Sequence, residues 1–373
     1  MTKEKTNRTD PRFILSGGGT GGHLFPAIAI ANELKREFPE ASFLFVGAMG
    51  RIEMDKVPIA GYPIEGLWIS GFQRGNLLKN ITLPLKLLKS FYKAKKLIHQ
   101  FKPDIVIGTG GYASFPVLYV ASGKGIPTLI QEQNFFPGIT NKWLSKKVDR
   151  VCTVFSGMEK YFPEEKIAIT GNPVRDEIKP GVMNREEACR RFQLDPSKKT
   201  LLVVGGSLGA RTLNESILAT IEQIKAKGIQ LIWQSGRSFE ERLKLCSIES
   251  TPGFWAETFI EDMAAAYIAA DVVVSRAGAI SLSELAIMEK AVILVPSPNV
   301  TEDHQTKNAL SLVKENAAIL VKDEDAPKEL IERVFMLMEN EESRIELIRN
   351  IKGFAKVEAT KLIVSEIKNL IGR

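Results

Sequence analysis

Cysteine is scarce in this chain, and what there is cannot build a framework. Cys152, Cys189 and Cys246 are scattered through 373 residues, odd in number and without a C-x-x-C pair. That pattern favours a reducing compartment and argues against a disulfide scaffold. Long apolar runs are also missing. No stretch is long enough to span a bilayer, and the polar start MTKEKTNRTDPR does not read as a signal peptide. No glycine loop is followed by Lys-Ser or Lys-Thr, which argues against a P-loop nucleotidase. Negative charge is absent from one long segment: between Gly66 and Pro103 there is no Asp or Glu, while Arg74, Lys79, Lys86, Lys89, Lys93, Lys95, Lys96 and Lys102 all occur there.

What remains is ordinary globular material, 44% hydrophobic and 25% charged, with a length that suggests about two domains. Short apolar runs alternate with helical patterns from end to end, which predicts parallel α/β architecture. Strands are expected near 12–16, 42–47, 104–107, 127–131, 150–154 and 167–170, and again near 200–204, 229–234, 254–260, 271–275, 291–295 and 317–321. The segment Thr170-Gly-Asn-Pro-Val-Arg-Asp-Glu-Ile-Lys-Pro180 interrupts the pattern with a glycine and two prolines, and reads as an interdomain linker.

Three apolar runs end in glycine loops: Phe13-Ile-Leu-Ser-Gly-Gly-Gly-Thr-Gly-Gly-His23, Ile105-Val-Ile-Gly-Thr-Gly-Gly-Tyr112 and Leu201-Leu-Val-Val-Gly-Gly-Ser-Leu-Gly-Ala210. Strand, tight turn and helix start form a seat for phosphate, because backbone N–H groups and the helix dipole converge there. Gly17, Gly19 and Gly22 satisfy G-x-G-x-x-G. A dinucleotide fold, however, places an acid at the end of the next strand to hold the ribose, and Phe43-Leu-Phe-Val-Gly-Ala-Met-Gly50 has none. His23 falls at a helix start, where the neutral imidazole is favoured, so it is a candidate general base; a capping or packing histidine is the plainer reading. In the second half, amides near Gly278, Ala279 and Ser281 can cradle a diphosphate, and Glu284 can accept from both ribose hydroxyls. Ser281-x-x-Glu284 is equally a capping box. Gln305 and Asn308 share a helix face. The pair Asp323 and Asp325 can hold a metal on a diphosphate, but Asp325 before Ala326-Pro327 reads as an N-cap.

The acid-free segment interleaves its lysines with Leu67, Trp68, Ile69, Phe72, Leu77 and Leu78. Such a surface suits an anionic membrane face better than nucleic acid, although a solvated lysine-rich helix has the same composition. Apolar residues after Leu83 are expected mostly to face the core, which narrows the membrane patch to Trp68, Phe72, Arg74, Leu77, Leu78 and Lys79.

In order, the stretches GGGTGGHLFPAIAIA, GTGGYASFP, QEQN, GNPVR, GGSLGAR, FIEDMAAAYIAADVVVSRAGAISLSELA and DHQTKNA run from residue 17 to residue 309. Together they resemble the bacterial MurG family, the UDP-N-acetylglucosamine:N-acetylmuramyl-(pentapeptide) pyrophosphoryl-undecaprenol N-acetylglucosaminyltransferases. The resemblance implies a GT-B fold, two Rossmann-like domains with parallel sheets facing a cleft. Residues 10–174 would form the acceptor- and membrane-facing domain, 175–352 the domain that binds UDP-GlcNAc, and the helix within 353–373 would return to the first. It further implies that Thr20, Gly21 and Gly22 lie at the cleft and that Asn134 contacts the GlcNAc. Arg175 and Ser207 would approach the diphosphate, Ile260 the uracil through its backbone, Glu284 the ribose and Gln305 the sugar. His304 stands where some relatives carry a second glutamine. No metal or cofactor is implied. The acceptor would be lipid I, undecaprenyl-pyrophosphoryl-muramyl-pentapeptide, met at the cytoplasmic face of the inner membrane, with domain movement about the 170–180 linker.

Overall fold

The structure, a computed structural model, describes residues 10–71, 80–206, 209–246, 248, 251–300 and 303–372. The chain divides into two compact units. One runs up to Val174 and takes in the residues from Glu358 onward; the other is Arg175–Val357. Residues 353–357 therefore belong with the second unit, and only the C-terminal helix Ala359–Ile371 returns to the first.

The first unit holds a seven-stranded parallel sheet in the order β3-β2-β1-β4-β5-β6-β7. Its strands are β1 (Arg12–Gly17), β2 (Ser42–Ala48), β3 (Ile64–Leu67), β4 (Ile105–Gly110), β5 (Thr128–Gln131), β6 (Arg150–Thr153) and β7 (Ile167–Ile169). The helices between them are α1 (Gly21–Glu37), α2 (Glu53–Ile59), α3 (Leu83–Phe101), α4 (Ser114–Gly123) and α5 (Ile139–Ser145). The central strands β1 and β4 are buried along nearly their whole length, as a parallel sheet covered on both faces requires. Strand β3 was not anticipated from the sequence. It is a four-residue edge strand carrying Glu65 and Gly66, too short and too polar to give a periodic signal, and it pairs Phe45 with Ile64 and Ala48 with Leu67.

The C-terminal helix closes this unit. Ile363, Val364 and Ile367 are buried in the same cluster as Phe13, Leu24, Ile30 and Leu34. Each such side chain contributes roughly 1.5–3 kcal/mol by leaving water. Arg150 and Glu366 lie 2.8 Å apart, and Lys368 reaches Glu37 at 2.7 Å.

The second unit repeats the plan with six parallel strands in the order β10-β9-β8-β11-β12-β13. They are β8 (Thr200–Val204), β9 (Gln230–Gln234), β10 (Phe254–Glu257), β11 (Val272–Ser275), β12 (Ala291–Leu294) and β13 (Ile319–Leu320). The helical stretch after β8 is interrupted at Thr220, giving Arg211–Ala219 and Ile221–Ala226. Thr220 leaves the helical backbone, and its hydroxyl bonds to the carbonyls of Ser216 and Ile217. Such back-bonding bends or ends helices.

In each sheet the strand order reverses once, between β1 and β4 and between β8 and β11. Connections from the two strands diverge there, so a crevice opens at their carboxyl ends, which is where doubly wound folds bind ligands. Two of the three glycine loops follow β1 and β4; the third follows β8, and Arg276-Ala-Gly278 follows β11.

Candidate functional site

At the first switch point β1 and β4 lie side by side, with Phe13 opposite Ile105 and Gly17 opposite Gly110. Their loops then touch. Gly111 has φ +82°, and a Cβ there would stand 2.3 Å from the carbonyl oxygen of Gly18. Only glycine permits that approach.

The anion seat expected at the first loop is partly filled from within. Glu53, fully buried, accepts from the Gly19 amide through both carboxylate oxygens at 3.1 and 3.0 Å, and from the Ala48 amide at 2.9 Å. A Cβ on Gly18 would meet this carboxylate at 2.2 Å. The Gly19 amide is thus committed to a protein carboxylate and not offered to a phosphate. The amides of Gly21 and Gly22 remain, in the first turn of α1, where a helix supplies no acceptor of its own. Thr20 is the N-cap, and its side chain makes no capping bond.

His23 is the third residue of α1, and its ring packs over Gly110. Its Nδ1 lies 3.0 Å from Oε1 of Gln133. Asn134, the next residue, sits in a loop gathered by a second buried carboxylate. Glu132 accepts from the amide and Nδ2 of Asn134, at 3.0 and 3.1 Å, and from the Gly138 amide and Nδ2 of Asn141, at 3.2 and 2.8 Å. The first unit therefore brings His23, Gly21, Gly22 and the Asn134 loop to one end of its sheet. In this unit Glu53, Glu132 and Gln133 are residues that sequence reasoning missed. Nothing local marks Glu53, and Glu132 was visible only as part of QEQN.

The second unit gathers the other group. Gly278 is the N-cap of helix Ala279–Ile287. Ser281 is then the third helical residue, not the cap, so the capping-box reading of Ser281 and Glu284 does not hold. Glu284 faces inward. It is 6% exposed, accepts from the Tyr267 hydroxyl at 3.0 Å, and accepts from Nε and Nη2 of Arg175 at 3.4 and 3.3 Å. Burial raises its pKa against the opposing pull of the Arg175 guanidinium. Burial, reinforced by the neighbouring Glu284 charge, lifts the Tyr267 phenol well above its ordinary range, so it stays protonated and donates. Tyr267 lies inside a quoted motif but drew no role from sequence, because an aromatic in AAAYIAA reads as core.

Three further expected contacts have protein partners. The Ile260 amide is held by Gln234 Oε1 at 3.0 Å, which leaves the carbonyl as the backbone group Ile260 can offer. Gln305 Oε1 accepts from the Ser297 amide at 2.8 Å. Asp323 bonds Arg276 at 2.5 Å and the Thr212 hydroxyl at 2.8 Å, so its charge is already answered. Asp325 is the N-cap of helix Ala326–Glu339. Among the described residues no group of three His, Cys, Asp or Glu side chains is placed to hold a metal ion. Ser207 lies outside the described residues, as do Phe72, Arg74, Leu77, Leu78 and Lys79.

The neighbouring helix α3 meets the expectation in part: Leu87, Leu97, Ile98 and Phe101 pack on the core, and a second group does not. Ser90, Ala94 and Ile98 form its buried face. Leu85, Leu88 and Tyr92 are 50%, 69% and 75% exposed, and Ile81 just before the helix is 72% exposed. They fall at i, i+4, i+7 and i+11, one stripe of the surface. The apolar residues after Leu83 therefore do not all serve the core. Small Ser90 and Ala94 let α3 approach closely, Leu87, Leu97, Ile98 and Phe101 flank them on the core side, and Leu85, Leu88 and Tyr92 are left outside. Trp68, 41% exposed, lies beneath the ammonium groups of Lys86 and Lys89, at 5.6 and 4.9 Å from the ring centre.

Two doubly wound parallel sheets, each with its loops at a switch point, are the plan of the GT-B glycosyltransferases. Residues 13–153 match the glycosyltransferase family 28 N-terminal domain and residues 200–363 the family 28 C-terminal domain. The chain belongs to glycosyltransferase family 28. It is 53% identical over 360 residues to a UDP-N-acetylglucosamine--N-acetylmuramyl-(pentapeptide) pyrophosphoryl-undecaprenol N-acetylglucosamine transferase of Cytophaga hutchinsonii, covering 96% of this chain and 97% of the relative. The protein of the same name from Phocaeicola vulgatus is 52% identical, with 96% of each chain covered. Among solved structures, MurG of Acinetobacter baumannii superposes with a TM-score of 0.76 at 29% identity, covering 96% of this chain and 99% of that one.

Proposed function

We propose that this chain transfers GlcNAc from UDP-GlcNAc to the 4-hydroxyl of the muramyl sugar of lipid I, with inversion, and so makes lipid II for peptidoglycan. The observation that carries the reading is end-to-end similarity, at about half identity, to relatives named for that reaction.

The residues support a metal-independent course. The acceptor hydroxyl attacks the anomeric carbon while His23 takes its proton. The bond from that carbon to the diphosphate oxygen breaks, and UDP leaves with the electron pair. Negative charge on the diphosphate is met by the N-terminus of helix Ala279–Ile287, by Ser207 and by Arg175, groups that act without a metal. Glu284 holds the ribose, the Ile260 carbonyl the uracil, and Asn134 and Gln305 the sugar. With the Gly19 amide bound to Glu53, the acceptor's pyrophosphate is left with the amides that open α1.

The lipid end of the acceptor requires contact with a membrane surface. No helix among the described residues is long and apolar enough to cross one. The stripe Ile81, Leu85, Leu88 and Tyr92, with Trp68 and the surrounding lysines, is suited to an anionic interface on the cytoplasmic side, continuous in sequence with the Phe72–Lys79 segment.

Incubation with UDP-GlcNAc and a lipid I analogue tests the reading. It expects stoichiometric release of UDP and a disaccharide product. Binding of UDP-GlcNAc without product, or transfer only to an unrelated acceptor, would overturn it.

A further inference from the structure

A chain of side-chain amides leads to His23, and its donors and acceptors can be ordered in only one way. Asn172 Nδ2 donates to the Gln133 carbonyl at 3.1 Å, which turns its Oδ1 toward Gln131; Gln131 Nε2 donates to that oxygen at 2.9 Å. Gln131 Oε1 thereby faces Gln133 and accepts from its Nε2. The same Nε2 lies 2.8 Å from the carbonyl oxygen of Thr109 and 3.1 Å from that of Gln131, its two protons shared among the three acceptors. Gln133 Oε1 is what remains, and it faces His23 Nδ1 at 3.0 Å. Reversing the Gln133 amide would set its oxygen against two carbonyl oxygens and the Gln131 oxygen, three acceptors with no proton among them. All three amide residues are at most 2% exposed, so no water is at hand to relieve such a clash.

We infer that Gln133 is a positioning residue for the transfer reaction: it holds His23 as the Nδ1–H tautomer and so leaves the Nε2 lone pair bare to take the acceptor's proton. The inference rests on the reading of His23 as general base. An amide carbonyl can only accept from Nδ1, so it selects the tautomer as the carboxylate of a Ser-His-Asp triad does. Unlike a carboxylate it adds no charge, and it still accepts from Nδ1–H after Nε2 has been protonated. Gln131 and Asn172 fix which end of the Gln133 amide His23 meets.

The chain has three histidines, His23, His99 and His304, which makes a direct spectrum practical. In the full-length protein labelled with ¹⁵N-histidine, two-bond proton–nitrogen correlations report which ring nitrogen carries the proton, and the signals lost in His23→Ala assign the residue. The neutral His23 ring is expected protonated at Nδ1 and bare at Nε2. A ring protonated at Nε2 in the wild type would overturn the inference without recourse to any variant. Gln133→Leu is expected to mix the tautomers and lower kcat on the order of 10²-fold, with the KM for UDP-GlcNAc little changed. Added to His23→Ala, it is expected to cost almost nothing further, since it acts through the ring. An equal loss in both backgrounds would show that Gln133 acts on something else. His23→Ala with near-normal turnover would instead remove the base reading while leaving the tautomer assignment to stand on the spectrum.

Discussion

At the residue scale, the donor side turns on one carboxylate with two protein partners. Glu284→Ala is expected to weaken UDP binding by roughly 1–3 kcal/mol, the range for losing a charged hydrogen-bond partner. Calorimetric titration measures it, and unchanged affinity with a lowered melting temperature would assign Glu284 to structure alone. The raised pKa gives a second signature. The ionised carboxylate is the better acceptor for two hydroxyls. It is fully present above the raised value and is lost as pH falls through it. UDP affinity should therefore begin to drop on acidification at a higher pH than an ordinary glutamate would give, and Glu284→Gln should flatten that dependence. On the acceptor side, His23→Ala is expected to cut turnover by about 10²–10⁴-fold while leaving UDP-GlcNAc affinity nearly unchanged. Both residues were legible in the sequence, His23 at a helix start and Glu284 one turn past the loop after β11. Their partners were not, because Gln133, Tyr267 and Arg175 reach them only through sheet order.

At the element scale, α3 has two incompatible faces. Ser90, Ala94 and Ile98 seat it on the sheet, and Leu85, Leu88 and Tyr92 look outward among lysines. Its composition alone is equally that of a helix docked by its large side chains. Which face is buried was decided by the packing partners: Phe91 meets Phe115 and Tyr119 of α4, and Leu87, Leu97, Ile98 and Phe101 join the core of the first unit. A Leu88→Ser/Tyr92→Ser/Lys89→Glu variant is expected to lose sedimentation with anionic vesicles at low salt while keeping turnover on a short-chain, water-soluble acceptor. Each lysine near an anionic surface adds about 1 kcal/mol, weakened by salt. Equal sedimentation of wild type and variant would remove α3 from the membrane surface.

At the scale of the whole molecule, both sheets use the same device, an order reversal that opens a crevice at strand ends where glycine loops fall. On the proposed course, charge on the leaving diphosphate is met by helix starts and Arg175. EDTA is accordingly expected to leave turnover largely intact; loss of activity restored by Mg²⁺ would contradict that course. It would also call for a role for Asp323 other than its bond to Arg276.

The sequence by itself determined the alternation of strands and helices, the glycine turns, the place of the linker and, through the ordered motifs, the family. These are carried by neighbouring residues: apolar period, turn chemistry and helix starts are local. It also pointed to His23, because a helix start has its own electrostatics, and, through the ordered motifs, to Glu284. Only the tertiary structure decided that Glu53 takes the Gly19 amide, that Gln133 meets His23 by its oxygen, that Arg175 and Tyr267 share Glu284, and that α3 leaves Leu85, Leu88 and Tyr92 outward. Each of these depends on which distant segments the sheet order sets side by side, as with Phe13 opposite Ile105, and no local pattern encodes that adjacency.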